Sequence, residues 1–145
     1  MSIIFSRHCE YALQAVSYLA LLRKGEMITI KELTGKLDIP YHFLGKILQD
    51  LTYKKLLISQ KGKNGGFALA LAPEKITLFD IVRAIDGADF DKKCVMGFPQ
   101  CSEKNSCSVH EHWALLREGI HDMLVKKNIA ELAKNMKKPE YHSRI

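Results

Sequence analysis

Residues 30–71 pass from a short helix through a tight break into a longer amphipathic helix and then into a basic hairpin. That order predicts a mainly α protein with a small β-hairpin wing, a winged helix-turn-helix. A second observation, a long apolar stripe at helical spacing from Val109 onward, adds a long dimerisation helix to this fold class. The 145 residues are enough for one such domain and a dimerising arm, and they exclude a multidomain enzyme. With 47% hydrophobic and 26% charged residues, the chain has the balance of a protein that folds in water.

Each element has a local cause. Leu13, Val16 and Ala20, with Ala12 and Leu19 beside them, give the first helix one buried face. Ser6 is its expected cap and Gly25 marks its end. Thr29 followed by Glu32 is a capping box that opens a second helix through Leu37. Asp38-Ile39-Pro40 then breaks the chain, with Pro40 placed where a first helical turn tolerates it. Phe43, Leu44, Ile47, Leu48 and Leu51 form the inner face of the third helix. The segments 56–59 and 67–71 read as two strands joined by Gln60-Lys61-Gly62-Lys63-Asn64-Gly65-Gly66, whose glycines supply the backbone angles of a hairpin tip. Thr77 caps a helix that closes at Gly87. Periodicity stops from Ala88 to Ser106 and resumes after a second expected capping box, Ser108 with Glu111. Val109, Trp113, Leu116, Ile120 and Met123 or Leu124 then face a second helix, either the same helix of another copy or the first helix of this chain. Asn128 with Glu131 starts a last short helix, and the tail from Lys137 is expected to fray.

Charge locates the expected partner. Residues 1–70 hold ten Lys/Arg against five Asp/Glu, a net +5, whereas residues 71–145 hold twelve against eleven, a net +1. A polyanion-binding surface is therefore expected in the N-terminal half, where the third helix would enter a DNA major groove. Its outward face carries His42, Gly45, Lys46, Gln49 and Tyr53, with Tyr41 at the leading end. Tyr41, His42, Lys46 and Gln49 are the candidates for base contact, and Lys61, Lys63 and Asn64 for phosphate contact by the wing. Gly45 costs a helix about 1 kcal/mol relative to Ala, which implies a close backbone approach by DNA or by a packed neighbour. The expected organisation is a DNA-binding domain at 1–87, a cysteine loop at 88–107, and a dimerisation helix and tail at 108–145.

No signal peptide and no membrane span are legible: the stretch from Ala12 to Leu22 is interrupted by Gln14 and Ser17. A cytoplasmic location is expected, where thiols stay reduced. Catalysis is not expected, since His8, His112, His121 and His142 are scattered and no nucleophilic or paired-carboxylate spacing stands out. Cys94, Cys101 and Cys107 lie in a polar loop that cannot be core, so they read as ligands, with His110 two residues beyond the last. Spacing alone leaves zinc in a Cys3His site and an iron-sulfur cluster both open. Cys9, inside the first helix, is expected to be packed.

The helix-turn-helix, the wing Lys61-Gly62-Lys63-Asn64-Gly65-Gly66-Phe67, the helix beginning Thr77-Leu78-Phe79-Asp80-Ile81-Val82, the three-Cys loop and the long final helix together resemble the Rrf-two-type bacterial transcription regulators. The resemblance covers residues 1–135. It implies a homodimeric repressor of inverted-repeat operators on double-stranded DNA, whose affinity changes when an iron-sulfur cluster in the loop is lost or modified. By position, Cys94, Cys101 and Cys107 match the cluster thiolates, although the first interval is wider than the common one by one residue. Cys107-Ser108-Val109-His110 resembles the Cys-x-x-His of the iron-sulfur-assembly branch, which makes His110 a ligand of a two-iron (2Fe-2S) cluster. Glu10 matches the position where the nitric-oxide- and redox-sensing branches place a carboxylate that reaches in from the partner subunit; the resemblance favours a two-iron cluster and also allows a four-iron (4Fe-4S) one. Three other readings stay open: a structural zinc, a thiol-redox switch through Cys9 or the loop, and a cluster-free regulator controlled by a protein partner.

Overall fold

A computed structural model describes residues 4–87 and 92–136. The first positions of the expected cysteine loop, 88–91, and the tail from Lys137 lie outside the described residues. Within them the chain forms six α-helices and a two-stranded antiparallel hairpin, the fold class expected.

Helix α1 (Arg7–Leu19) starts where the Ser6 hydroxyl accepts the Cys9 amide at 3.1 Å. It buries Ala12, Ala15, Val16 and Leu19 at the centre of the main core. Helix α2 (Ile30–Leu37) opens with the expected capping box: Thr29 Oγ1 accepts the Glu32 amide at 3.2 Å, and Glu32 Oε2 accepts the Thr29 amide at 3.0 Å. Asp38 ends it in the left-handed region. Pro40 is the N-cap of α3 (Tyr41–Tyr53), one position ahead of the first turn.

Leu44, Ile47, Leu48 and Leu51 of α3 are fully buried, and each removes apolar area worth about 1.5–3 kcal/mol from water. Phe43 departs from the expected inner face. It lies at the edge of that stripe and is half-buried against the first turns of α1 and α3, with its ring 5.3 Å from His8, 6.2 Å from Tyr11 and 4.2 Å from His42.

The end of α3 is a Schellman motif: the Leu56 amide returns to the Leu51 carbonyl and the Lys55 amide to that of Thr52. Lys55 occupies its left-handed position, at φ 65°, where a Cβ is unfavourable. Lys55→Gly is therefore expected to stabilise the protein by about 0.5–1 kcal/mol, read as a higher urea midpoint at unchanged slope.

Because Leu56 spends its amide on this cap, β1 begins one residue later than expected, at Leu57–Gln60. It pairs with β2 (Gly66–Leu69) in the register Leu57 with Leu69 and Gln60 with Gly66. Ile28 bridges to Phe67 and ties the hairpin to the segment before α2. After a 3-10 turn at Pro73–Lys75, Thr77 and Asp80 form a capping box for α4 (Leu78–Asp86), which closes at Gly87 as expected.

Helix α5 (His110–Lys126) corrects the expected start. Ser108 and Glu111 form no capping box; Val109 is the N-cap, without a side-chain bond. The Cys107–His110 turn sets the start instead, with the His110 amide donating to the Cys107 carbonyl at 3.1 Å and the Trp113 amide to that of Val109 at 2.9 Å. The expected stripe also divides. Leu124 packs in a small core with Cys9 and Val82, while Leu116 and Met123 stay 63% and 47% exposed, beside Leu115 at 72%. Helix α6 (Ile129–Met136) has the Asn128–Glu131 cap and returns Ile129 and Met136 to the main core against α1. Among the described residues no helix is long and apolar enough to cross a membrane.

Candidate metal centre and nucleic-acid interface

Three thiols converge. The sulfurs of Cys94, Cys101 and Cys107 all lie within 4.8 Å of one another, and no other described group of His, Cys, Asp or Glu does so in threes. Cys94 Sγ stands 3.8 Å from Cys107 Sγ, and Cys101 Sγ stands 3.4 Å from Nδ1 of His110. The Cys107 amide donates to Cys101 Sγ at 3.5 Å. The sequence places these candidate ligands on two arms: Cys94 on the stretch entering from α4, and Cys101, Cys107 and His110 on a run that leads into α5.

The loop is built from turns because its sequence has no periodic apolar face. Gly97 donates back to the Cys94 carbonyl at 3.0 Å from a left-handed φ of 80°. Ser102 and Asn105 exchange backbone hydrogen bonds at 3.2 and 3.1 Å. These turns aim amide groups at sulfur. The Cys94 thiol is lowered below its ordinary pKa chiefly by the Phe98 amide, then by that of Met96 and by Cys107. At Cys101 the Cys107 amide also lowers, but lost hydration and the Cys107 and Cys94 sulfurs outweigh it and the pKa rises.

The donor set suits soft metals and iron-sulfur clusters. A space of about 10 Å³ remains among these groups, bounded also by Trp113 and Arg117. A tetrahedral ion with bonds of about 2.3 Å separates its sulfurs by about 3.8 Å, which the Cys94–Cys107 pair already matches. A cluster places irons and sulfides between its thiolates and needs them farther apart. The turns from Met96 to Gln100 that carry the loop are exposed.

Of the other candidates, Glu10 lies on α1, outside this group, with Arg7 at 3.4 Å. Cys9 is fully buried as expected; burial, then the Asp86 carboxylate, pushes its thiol up to about 12. A thiol that stays protonated at neutral pH is a poor redox switch.

The DNA-facing candidates sit on one side of α3 and on the hairpin. Tyr41 is 59% exposed, and His42, Lys46 and Gln49 are exposed along the same helix. Lys61, Lys63 and Asn64 are exposed at the hairpin tip. A methyl group on Gly45 would meet only Ile30 Cδ1, at an ordinary 3.7 Å, so packing within the chain does not require glycine there. Sequence reasoning missed Trp113 as part of the site. Its spacing of three residues from His110, one helical turn, was the available signal.

Residues 5–135 match the family model Rrf2, described as iron-dependent transcriptional regulator. The chain is 37% identical over 131 residues to an HTH-type transcriptional regulator of Aquifex aeolicus, covering 89% of this chain and 90% of that one. It is 34% identical over 76 residues to the regulator NsrR of Halalkalibacterium halodurans, covering 52% of each. Among solved structures it is similar to CymR, the global cysteine regulator of B. subtilis, at a TM-score of 0.75 and 22% identity, covering 90% of this chain and 96% of that one. It is also similar to T. potens IscR, at a TM-score of 0.69 and 21% identity, covering 90% and 86%. These two likenesses carry the fold. With the family model spanning both the winged half and the cysteine loop, the chain belongs to the Rrf2 family of transcriptional regulators.

Proposed function

We propose that this regulator is a homodimeric, DNA-binding repressor whose operator affinity is set by the state of an iron-sulfur cluster held by Cys94, Cys101, Cys107 and His110. The observation that carries this reading is the convergence of three thiols within 4.8 Å on an exposed loop at the head of α5. A family described as iron-dependent supports iron over other metals. His110 is taken as the fourth donor because its Nδ1 already lies 3.4 Å from Cys101 Sγ, and Glu10 of a second copy is the alternative. When bound, such a cluster supplies iron that oxidants or nitric oxide can attack.

The chain's own residues do the rest. Cys107 and His110 are the turn from which α5 starts, so ligation there bears on the direction of that helix. Leu115, Leu116 and Met123 form its exposed apolar side and are the expected contact with a second copy. Two α3 helices at a fixed spacing read an inverted repeat, so a changed dimer angle costs specific affinity. Tyr41, His42, Lys46 and Gln49 reach base edges, and Lys61, Lys63 and Asn64 follow the phosphates. Gly45, which needs no neighbour within the chain, admits the DNA backbone close to α3.

The test is an anaerobic purification with iron, acid-labile sulfide and operator binding measured on one sample. Stoichiometric iron and sulfide, with binding that changes when the iron is chelated, are expected. Colourless protein whose binding ignores chelators sinks the proposal. A second reading, one zinc ion, is favoured by the 3.8 Å sulfur spacing and predicts zinc without sulfide. Independently of the metal, Lys61→Ala is expected to weaken all DNA sites alike and to flatten the salt dependence by about one unit of slope. A changed sequence preference would remove Lys61 from the phosphate backbone.

A further inference from the structure

We propose that Trp113 is the positioning residue that holds Cys94 within reach of the other ligands, an inference that rests on the metal-binding reading of the loop. Three of the four donors come as a local unit. Cys101, Cys107 and His110 lie within ten residues, joined by the Cys107 amide on Cys101 Sγ and by the Cys107–His110 turn that heads α5. Cys94 arrives on the other arm and needs a separate tether. The Trp113 indole provides one: its Nε1–H donates to the backbone carbonyl of Lys93, the peptide directly before Cys94, at 3.0 Å.

The surroundings show why a tether matters. On one side of Cys94 the space among the sulfurs is about 10 Å³, room for about one water. On its other side lies an open cavity of about 280 Å³, walled by Ser6, Asp86, Lys93, Val95 and Trp113. Cys94 itself lines that cavity, so among the described residues there is open space on that side. An indole N–H makes a single hydrogen bond, and this one is spent on the carbonyl that sets where Cys94 begins. Trp113 also lies one turn along α5 from His110, so the same helix carries one ligand and the anchor of another.

The experiment is a cobalt(II) titration of the reduced, metal-free full chain, since thiolate-to-cobalt charge-transfer absorption grows with the number of thiolates bound. Wild type is expected to show three thiolates, and Cys94→Ala two. Trp113→Phe keeps an aromatic ring but loses the N–H. It is expected to fall toward the two-thiolate absorption and to bind cobalt about 10–100-fold more weakly, as loss of an outer partner of a ligand does. Replacing the indole by its benzothiophene isostere, which keeps the shape without the donor, should reproduce the effect and separates it from misfolding. Three thiolates and wild-type affinity in both variants overturn the role of Trp113 alone. A wild-type chain that binds no cobalt overturns the metal reading with it.

Discussion

Cys107→Ala is expected to abolish metal and cluster loading. Its sulfur is 3.8 Å from that of Cys94, and on the proposed ligation its loss exceeds the roughly 10–100-fold that follows loss of an outer partner. The backbone roles of Cys107 survive the change: the amide facing Cys101 Sγ and the carbonyl that starts α5 are untouched. Stability of the metal-free chain should therefore shift by less than about 1 kcal/mol, since the position is only half-buried and lies outside the core. Iron, sulfide and visible absorption measure the first effect, and urea unfolding the second. A variant that still holds iron and sulfide at wild-type levels would mean that Cys107 is not a ligand.

Gly66→Ala is expected to be strongly damaging, as a methyl group on the neighbouring Gly65 would be. Gly66 sits at φ 142°, and a Cβ there would collide with the backbone carbonyl of Ile28. That carbonyl cannot retreat cheaply, because it accepts the Phe67 amide at 2.8 Å while the Ile28 amide donates to the Phe67 carbonyl at 3.1 Å. Strained backbone costs about 1–3 kcal/mol, and losing this bridge adds to it, so a destabilisation of about 2–3 kcal/mol is expected. Gly35 is the control. It lies within α2 with open space around its Cβ position, and Gly35→Ala should stabilise by up to about 1 kcal/mol. Equal effects of the two substitutions in urea unfolding would contradict the contact at Ile28. The wing also carries Lys61 and Lys63, so Gly66→Ala should weaken DNA binding at temperatures where the protein is still folded.

Much of the fold was legible because its signals are local. The capping box at Thr29 and the helix starts at Thr77 and Asn128 are patterns of four residues, and each forms where it was read. The box expected at Ser108 fails because a competing local bond, from His110 to the Cys107 carbonyl, starts the helix later. Phe43 shows another limit. Periodicity puts it on the apolar side of α3, but only the position of α1 turns that side into a cage of His8 and Tyr11. At the candidate site the three cysteines were legible from their polar surroundings. Trp113 was not, because a tryptophan on a helical stripe looks the same in sequence whether it packs a core or holds a carbonyl.

The sequence by itself determined the order of the elements, where most of them begin and end, the glycine-built hairpin and the three thiols that converge. These depend on side chains a few residues apart, and such contacts form whatever the rest of the chain does. Only the tertiary structure decided that α6 closes the core against α1, that α5 leaves Leu115, Leu116 and Met123 exposed, that Cys9 is sealed beside Asp86, and that His110 of the same chain stands beside Cys101. Each of these outcomes depends on how separate helices pack, and a helix with apolar residues on more than one side can bury any of them until its neighbours are in place.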